Sequence, residues 1–273
     1  MTRFRSVLAV PGALALAAAF VLGACSSDDT ASSTTTTTAR SASTASKFCD
    51  SWKQVEMTAS QGPGGGDGPP DPAAMKQFAS TMQPPVATAS EQGPKELTSQ
   101  LDAIKKIVDT AAGGGDASAL DPSNPALGEP LSKVEGWAYD NCDWHQLPVA
   151  AVDYSFKDLP EKLPSGTTVI KFTNDAKDEQ HMMSVVRLGK DSKFTVQEVL
   201  DELQTDPNAA EQKFQPPDVE FVGTAEAAPG QTGYAVVDLQ PGKYVVGCFI
   251  PVGGQDGAAL HTQKGMVGSF TVS

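Results

Sequence analysis

At Pro148 the apolar residues of this chain change their spacing, and that change divides what the chain can fold into. Before it they recur every three or four residues; after it they alternate. The first spacing turns one face of a helix toward a core, and the second does the same for one face of a strand. Phe48, Trp52 and Val55 follow the helical rule. So do Met75, Phe78 and Met82, then Leu97, Leu101, Ile104 and Val108, then Leu131, Val134, Ala138 and Cys142. GPGGGDGPPDP and AAGGGDASALDPSNPALGEP interrupt these stripes and read as loops. Four amphipathic helices can enclose one small core, so a small all-α domain is expected over residues 47–146.

Past Pro148, alternation marks candidate strands at 149–156, 167–173, 182–188, 219–223, 234–239, 243–250 and 267–272. Pro164-Ser165-Gly166, Pro229-Gly230 and Pro241-Gly242 supply turns between them. Residues 195–204 (TVQEVLDELQ) break the pattern as a short amphipathic helix. Many short strands with regular turns predict an all-β sandwich or barrel over residues 148–273.

The N-terminus has a basic start (Arg3, Arg5), an apolar run and small residues before a cysteine, the layout of a secretory leader over residues 1–24. Leu22-Gly23-Ala24-Cys25 resembles the lipobox of bacterial lipoproteins. The resemblance implies a diacylglyceryl thioether on Cys25, cleavage before it, and a lipid anchor on the outer face of the cell membrane. Residues 25–46 are mostly Ser, Thr and Ala, too poor in apolar surface to fold, and are expected to form a disordered tether. The net charge of −13 becomes more negative once Arg3 and Arg5 leave. That sign excludes nucleic acid as a partner and favours at most a basic protein.

Cysteine usage is sparse: Cys25, Cys49, Cys142 and Cys248. In an oxidising compartment, Cys49 at the expected start of the first helix and Cys142 at the end of the last read as a disulfide. With Cys25 lipidated, Cys248 remains unpaired. It lies in LQPGKYVVGCFIPVGGQDGAALHTQKGMVGSFTVS, where period two puts Tyr244, Val246 and Cys248 on one face and Met266, Phe270 and Val272 on another. A thiol and a thioether then point inward near the loop that carries His261, which is the ligand chemistry of a blue-copper site.

TVIKFTNDAKDEQHMMSVV resembles the cupredoxin pattern in which a strand ending V-x-F-x-N precedes a ligand histidine. LQPGKYVVGC resembles that family's L-x-P-G-x-Y-x-x-x-C, and GMVGSFTV its closing G-M-x-x-x-F-x-V. The resemblance covers residues 149–273. It implies a Greek-key sandwich with one copper ion, His181, Cys248 and His261 as in-plane ligands and Met266 as the weak axial one. It further implies that His261 is the solvent-edge ligand, and that a redox partner protein takes the electron. The chain departs from the pattern in one respect. Twelve residues, Phe249 to Leu260, separate Cys248 from His261, where the family usually has two to four. Such an insertion either bulges outward and returns His261 to the site, or marks a metal-free sandwich that serves as an envelope binding module. Catalytic coppers need further histidine clusters and only His145 is left over, so the expected function is electron transfer or copper handling and not an enzyme.

Overall fold

The computed structural model describes residues 35–63, 71–255 and 257–273. Four helices come first: α1 (Thr35–Ala59), α2 (Pro72–Gln92), α3 (Thr98–Ala112) and α4 (Pro125–Asn141). Asp71 and Asn124 cap α2 and α4 by accepting from Ala73 N–H and Ala126 N–H, and a proline follows each cap at the first helical position. Phe48, Trp52 and Val55 pack against Met82, Leu101, Ile104, Val108, Val134 and Ala138 in one buried cluster. The Cys49–Cys142 disulfide joins the middle of α1 to the end of α4.

Two of these helices outrun their apolar stripes. α1 begins at Thr35, inside the stretch expected to be a disordered tether. Once a turn is fixed by Phe48 and Trp52, extending the helix costs little, because each added residue gains a hydrogen bond without a new nucleus. The rest of the expected tether, the leader and Cys25 lie outside the described residues. α2 continues through Pro84 and Pro85. An interior proline costs about 3 kcal/mol, and burial of Val86 and Ala89 just beyond the pair offsets it. Among the described residues no helix is long and apolar enough to cross a membrane.

The remaining elements are β1 (His145–Val152), β2 (Ser155–Lys157), β3 (Lys162–Leu163), β4 (Gly166–Asn174), β5 (His181–Leu188), α5 (Val196–Thr205), α6 (Pro207–Lys213), β6 (Val219–Ala227), β7 (Thr232–Leu239), β8 (Gly242–Gly247) and β9 (Val267–Val272). They build two sheets, ordered β2-β1-β4-β7 and β3-β9-β8-β5-β6. The chain crosses between sheets at β2–β3, β3–β4, β4–β5, β6–β7 and β7–β8, as in a Greek-key sandwich. Strand pairing starts at His145, slightly before the expected boundary at Pro148. The expected strand 149–156 is split, because Asp153 turns the backbone at φ 48° and β2 folds back on β1. α6 begins at Pro207 behind the Asp206 cap, a helix that no apolar spacing marks.

Between the sheets, Ile170, Phe172, Met183, Val185, Val237, Tyr244, Val246, Phe270 and others form one core. Tyr244 stacks on Phe270 at 5.0 Å, and its hydroxyl donates to the Gln240 carbonyl at 2.7 Å, fixing the turn that launches β8. The opposite face of the second sheet is also covered: Val245 packs with Val199, Leu203 and Phe214 of the α5–α6 region. The first sheet meets the helical domain. Lys53 of α1 donates to Thr167 Oγ1 at 2.6 Å and pairs with Asp238 at 3.2 Å, and Tyr139 of α4 lies 6.0 Å from the ring of Tyr234. Helices therefore back the sandwich on both sides, while the end near Asn174, His181 and Ala227 gathers loops.

Candidate metal centre

One buried amide organises the approach to His181. Asn174 closes β4, donates to the carbonyls of Glu179 at 2.8 Å and Ala227 at 2.9 Å, and accepts from Ala176 N–H at 2.9 Å. Three of its hydrogen-bonding positions are used, so its burial costs little. The loop folded around it delivers His181 as the first residue of β5, opposite Ala227.

Cys248 stands just past the end of β8. Its N–H donates to the Met266 carbonyl at 3.1 Å, its carbonyl accepts from Thr262 N–H at 2.9 Å, and its Sγ accepts from Met182 N–H at 3.3 Å. His261 opens a short 3-10 turn, His261–Lys264, and its carbonyl accepts from Met266 N–H at 3.0 Å. Gly265 then takes φ 98°, a left-handed conformation that turns the chain into β9 and that a side chain would strain. Backbone bonds thus tie Cys248, His261 and Met266 to one another.

The twelve-residue interval closes on itself. His261 N–H donates to the Ile250 carbonyl at 3.0 Å, Pro251 bridges Leu260, and Val252 N–H donates to the Ala259 carbonyl at 2.9 Å. The pairings make a hairpin-like excursion whose neck lies between Ile250 and His261. Only Phe249 and Ile250 separate Cys248 from that neck, so His261 occupies in space the position a much shorter loop would give it. The insertion bulges outward and returns.

At the neck the donors converge. Nδ1 of His181 and Nδ1 of His261 are 3.0 Å apart, and Cys248 Sγ lies 3.3 Å from the second and 3.9 Å from the first. All three side chains are fully buried, as is Met266. A triangle of this size suits one ion held at roughly 2.0 Å from nitrogen and 2.3 Å from sulfur. Burial lowers the pKa of both imidazoles, with the neighbouring His261 lowering that of His181 as well, which favours the neutral form that a metal ligand requires. Burial pushes the Cys248 thiol up, partly offset by the Met182 N–H. A cation at the centre of the triangle would stabilise the thiolate that burial disfavours. The residues present therefore fit a metal ion.

The C-terminal domain is a sandwich of two sheets with the donor triangle at one end. No protein-family model and no curated protein matches the chain. Among solved structures it is similar to auracyanin B, at 23% identity over 47% of this chain and 88% of that one, with a TM-score of 0.31. It is similar to auracyanin A, a "blue" copper protein from the green thermophilic photosynthetic bacterium Chloroflexus aurantiacus, at 18% identity over 47% and 98%, TM-score 0.30. Reduced rusticyanin matches at 17% identity over 52% and 95%, TM-score 0.28.

In one respect the sandwich departs from what the sequence resemblance implies. His261 is not at a solvent edge: it is 0% exposed. The ring of Tyr154 lies edge-on at 5.0 Å, and Glu179 stands 3.5 Å from its Nε2. Neither residue is singled out by the sequence, because each reaches His261 across the fold and neither belongs to a spacing that marks a ligand. His145, left over among the histidines, is exposed on β1.

Proposed function

We propose that this chain is a membrane-tethered, extracytoplasmic carrier of a single copper ion, working as an electron-transfer protein and not as an enzyme. The observation that supports it is the convergence of one thiol and two imidazole Nδ1 atoms in a fully buried triangle. In this reading His181, Cys248 and His261 would hold the ion, and Met266, tied to them through the backbone, would supply a weak thioether donor. Two imidazoles with one thiolate and a weak thioether are the donor set of blue-copper electron carriers. When bound, copper supplies the one-electron redox change. The chain's own residues hold the donors in place through the Asn174 amide and the cross-bonded backbone of Cys248, His261 and Met266, so little rearrangement accompanies that change. The negative net charge favours a basic protein as redox partner.

Titrating the purified protein with Cu(II) should produce an intense visible thiolate-to-copper band that saturates at one ion per chain. Met266→Leu should keep the band and raise the reduction potential, since an axial thioether tunes the metal more than it holds it. A protein that stays colourless, with Cys248 freely reactive after unfolding, would instead support a metal-free binding module.

The tether rests on the leader and on Cys25 at its end. Cys25→Ser should abolish acylation and release the protein from the membrane fraction. A variant that remains membrane-bound after carbonate washing would overturn the lipid anchor.

A further inference from the structure

The excursion between Cys248 and His261 is held by a carboxylate that no ligand pattern includes. Glu179 accepts from Gly253 N–H with both oxygens, at 3.1 Å and 3.0 Å, and from the Tyr154 hydroxyl at 3.2 Å. Its own backbone is pinned, since its carbonyl accepts from the buried Asn174 amide. From there Oε2 faces His261 Nε2 at 3.5 Å. Gly253 presents its N–H from φ 66°, the left-handed region that glycine enters without strain. One residue thus links the loop before His181, the strand-turn residue Tyr154, the foot of the excursion, and the Nε2 edge of His261, away from the donor triangle.

We propose that Glu179 is the positioning residue of the metal centre: it anchors the excursion and holds His261 with its Nε2–H toward the carboxylate, leaving the Nδ1 lone pair for the ion. The proposal rests on the copper reading for its metal, but its structural half stands without one. The two Nδ1 atoms lie 3.0 Å apart, so one must carry a proton and the other accept it. A carboxylate beside His261 Nε2 puts the hydrogen of His261 on that nitrogen, which makes His181 the Nδ1–H donor of the pair. When an ion binds Nδ1, the imidazole becomes more polarised and its Nε2–H a stronger donor. The 3.5 Å separation, too long for a well-formed hydrogen bond, then shortens. A carboxylate on the far nitrogen of a ligating histidine fixes its tautomer and orientation, and its loss usually costs 10–100-fold in metal affinity. The same contacts seal the site: with Tyr154 and the excursion in place, outside ligands have no path to the ion along the His261 edge.

The test uses Glu179→Ala and Glu179→Gln in the whole protein, with two readouts. Without metal, long-range ¹H–¹⁵N spectra should show His261 as the Nε2–H tautomer in the wild type and in Glu179→Gln, whose amide oxygen still accepts. In Glu179→Ala the two histidines should exchange roles or populate both tautomers. With copper, wild type and Glu179→Gln should bind within a few-fold of each other and ignore added imidazole. Glu179→Ala should bind about 10–100-fold more weakly and change its visible band as imidazole is added. If Glu179→Ala keeps both the wild-type tautomer and the wild-type affinity, Glu179 does not position His261. If the wild type binds no copper, the copper reading falls, and the metal-free tautomer still decides for or against the positioning role.

Discussion

Cys248→Ser is expected to yield a protein that folds, melts within about 1 kcal/mol of the wild type and shows no visible copper band at all. Serine is the smaller isostere, and the Met182 N–H that faces Sγ at 3.3 Å can donate to a hydroxyl instead, so the buried position stays satisfied. What disappears is the thiolate, and Cys248 is the free cysteine among the described residues. The same group sets a pH dependence. Burial holds the thiol above its ordinary range, so it is protonated near neutrality and copper must displace its proton. Lowering the pH supplies that proton and opposes binding, and raising it favours binding until the thiol ionises by itself. Copper affinity of the wild type should fall by about tenfold for each unit of acidification from this group alone. In Cys248→Ser that contribution to the slope should vanish together with the colour. Competition titrations at several pH values measure both. A coloured serine variant would mean that another group supplies the charge-transfer donor.

Much of the fold was legible because it rests on periodicity, which is local. Leu101, Ile104 and Val108 are buried where a helical stripe requires it, and Tyr244 and Val246 where alternation does. The ligand candidates were legible by type and by the motifs around them. What could not be read was how His261 returns. That depends on the His261–Ile250 and Val252–Ala259 bonds, pairings made inside a stretch rich in Gly and Pro whose register no apolar pattern sets. Glu179 was hidden for a similar reason. Its partners Tyr154, Gly253 and His261 lie far apart in the chain, and nothing in the spacing of DAKDEQ sets one carboxylate apart from the others. The early start of α1 was missed because helix propagation from a packed turn needs no stripe.

The disulfide carries the second large effect, and it acts on a different part of the molecule. Replacing both Cys49 and Cys142 by alanine should lower the stability of the helical domain by about 4–5 kcal/mol on the chain-entropy model, since the bridge closes a loop spanning 93 residues. For a domain of roughly a hundred residues that corresponds to a fall of roughly 20 °C in melting temperature. The bond joins α1 to α4 and does not touch the sandwich, whose strands and donors are held by their own ladders. Calorimetry should therefore show the helical transition moving down while the copper band at room temperature is unchanged. Two routes separate the possible causes. Reducing the wild type leaves both sulfurs in the buried cluster with Phe48 and Trp52, whereas the double alanine variant also removes their packing. If the drop comes from freeing the unfolded chain, the two treatments should agree to within the small cost of the missing sulfurs. A reduced wild type that melts like the oxidised one would mean that the unfolded helical segment is already compact without the bond, and that the apolar stripes alone hold this domain together.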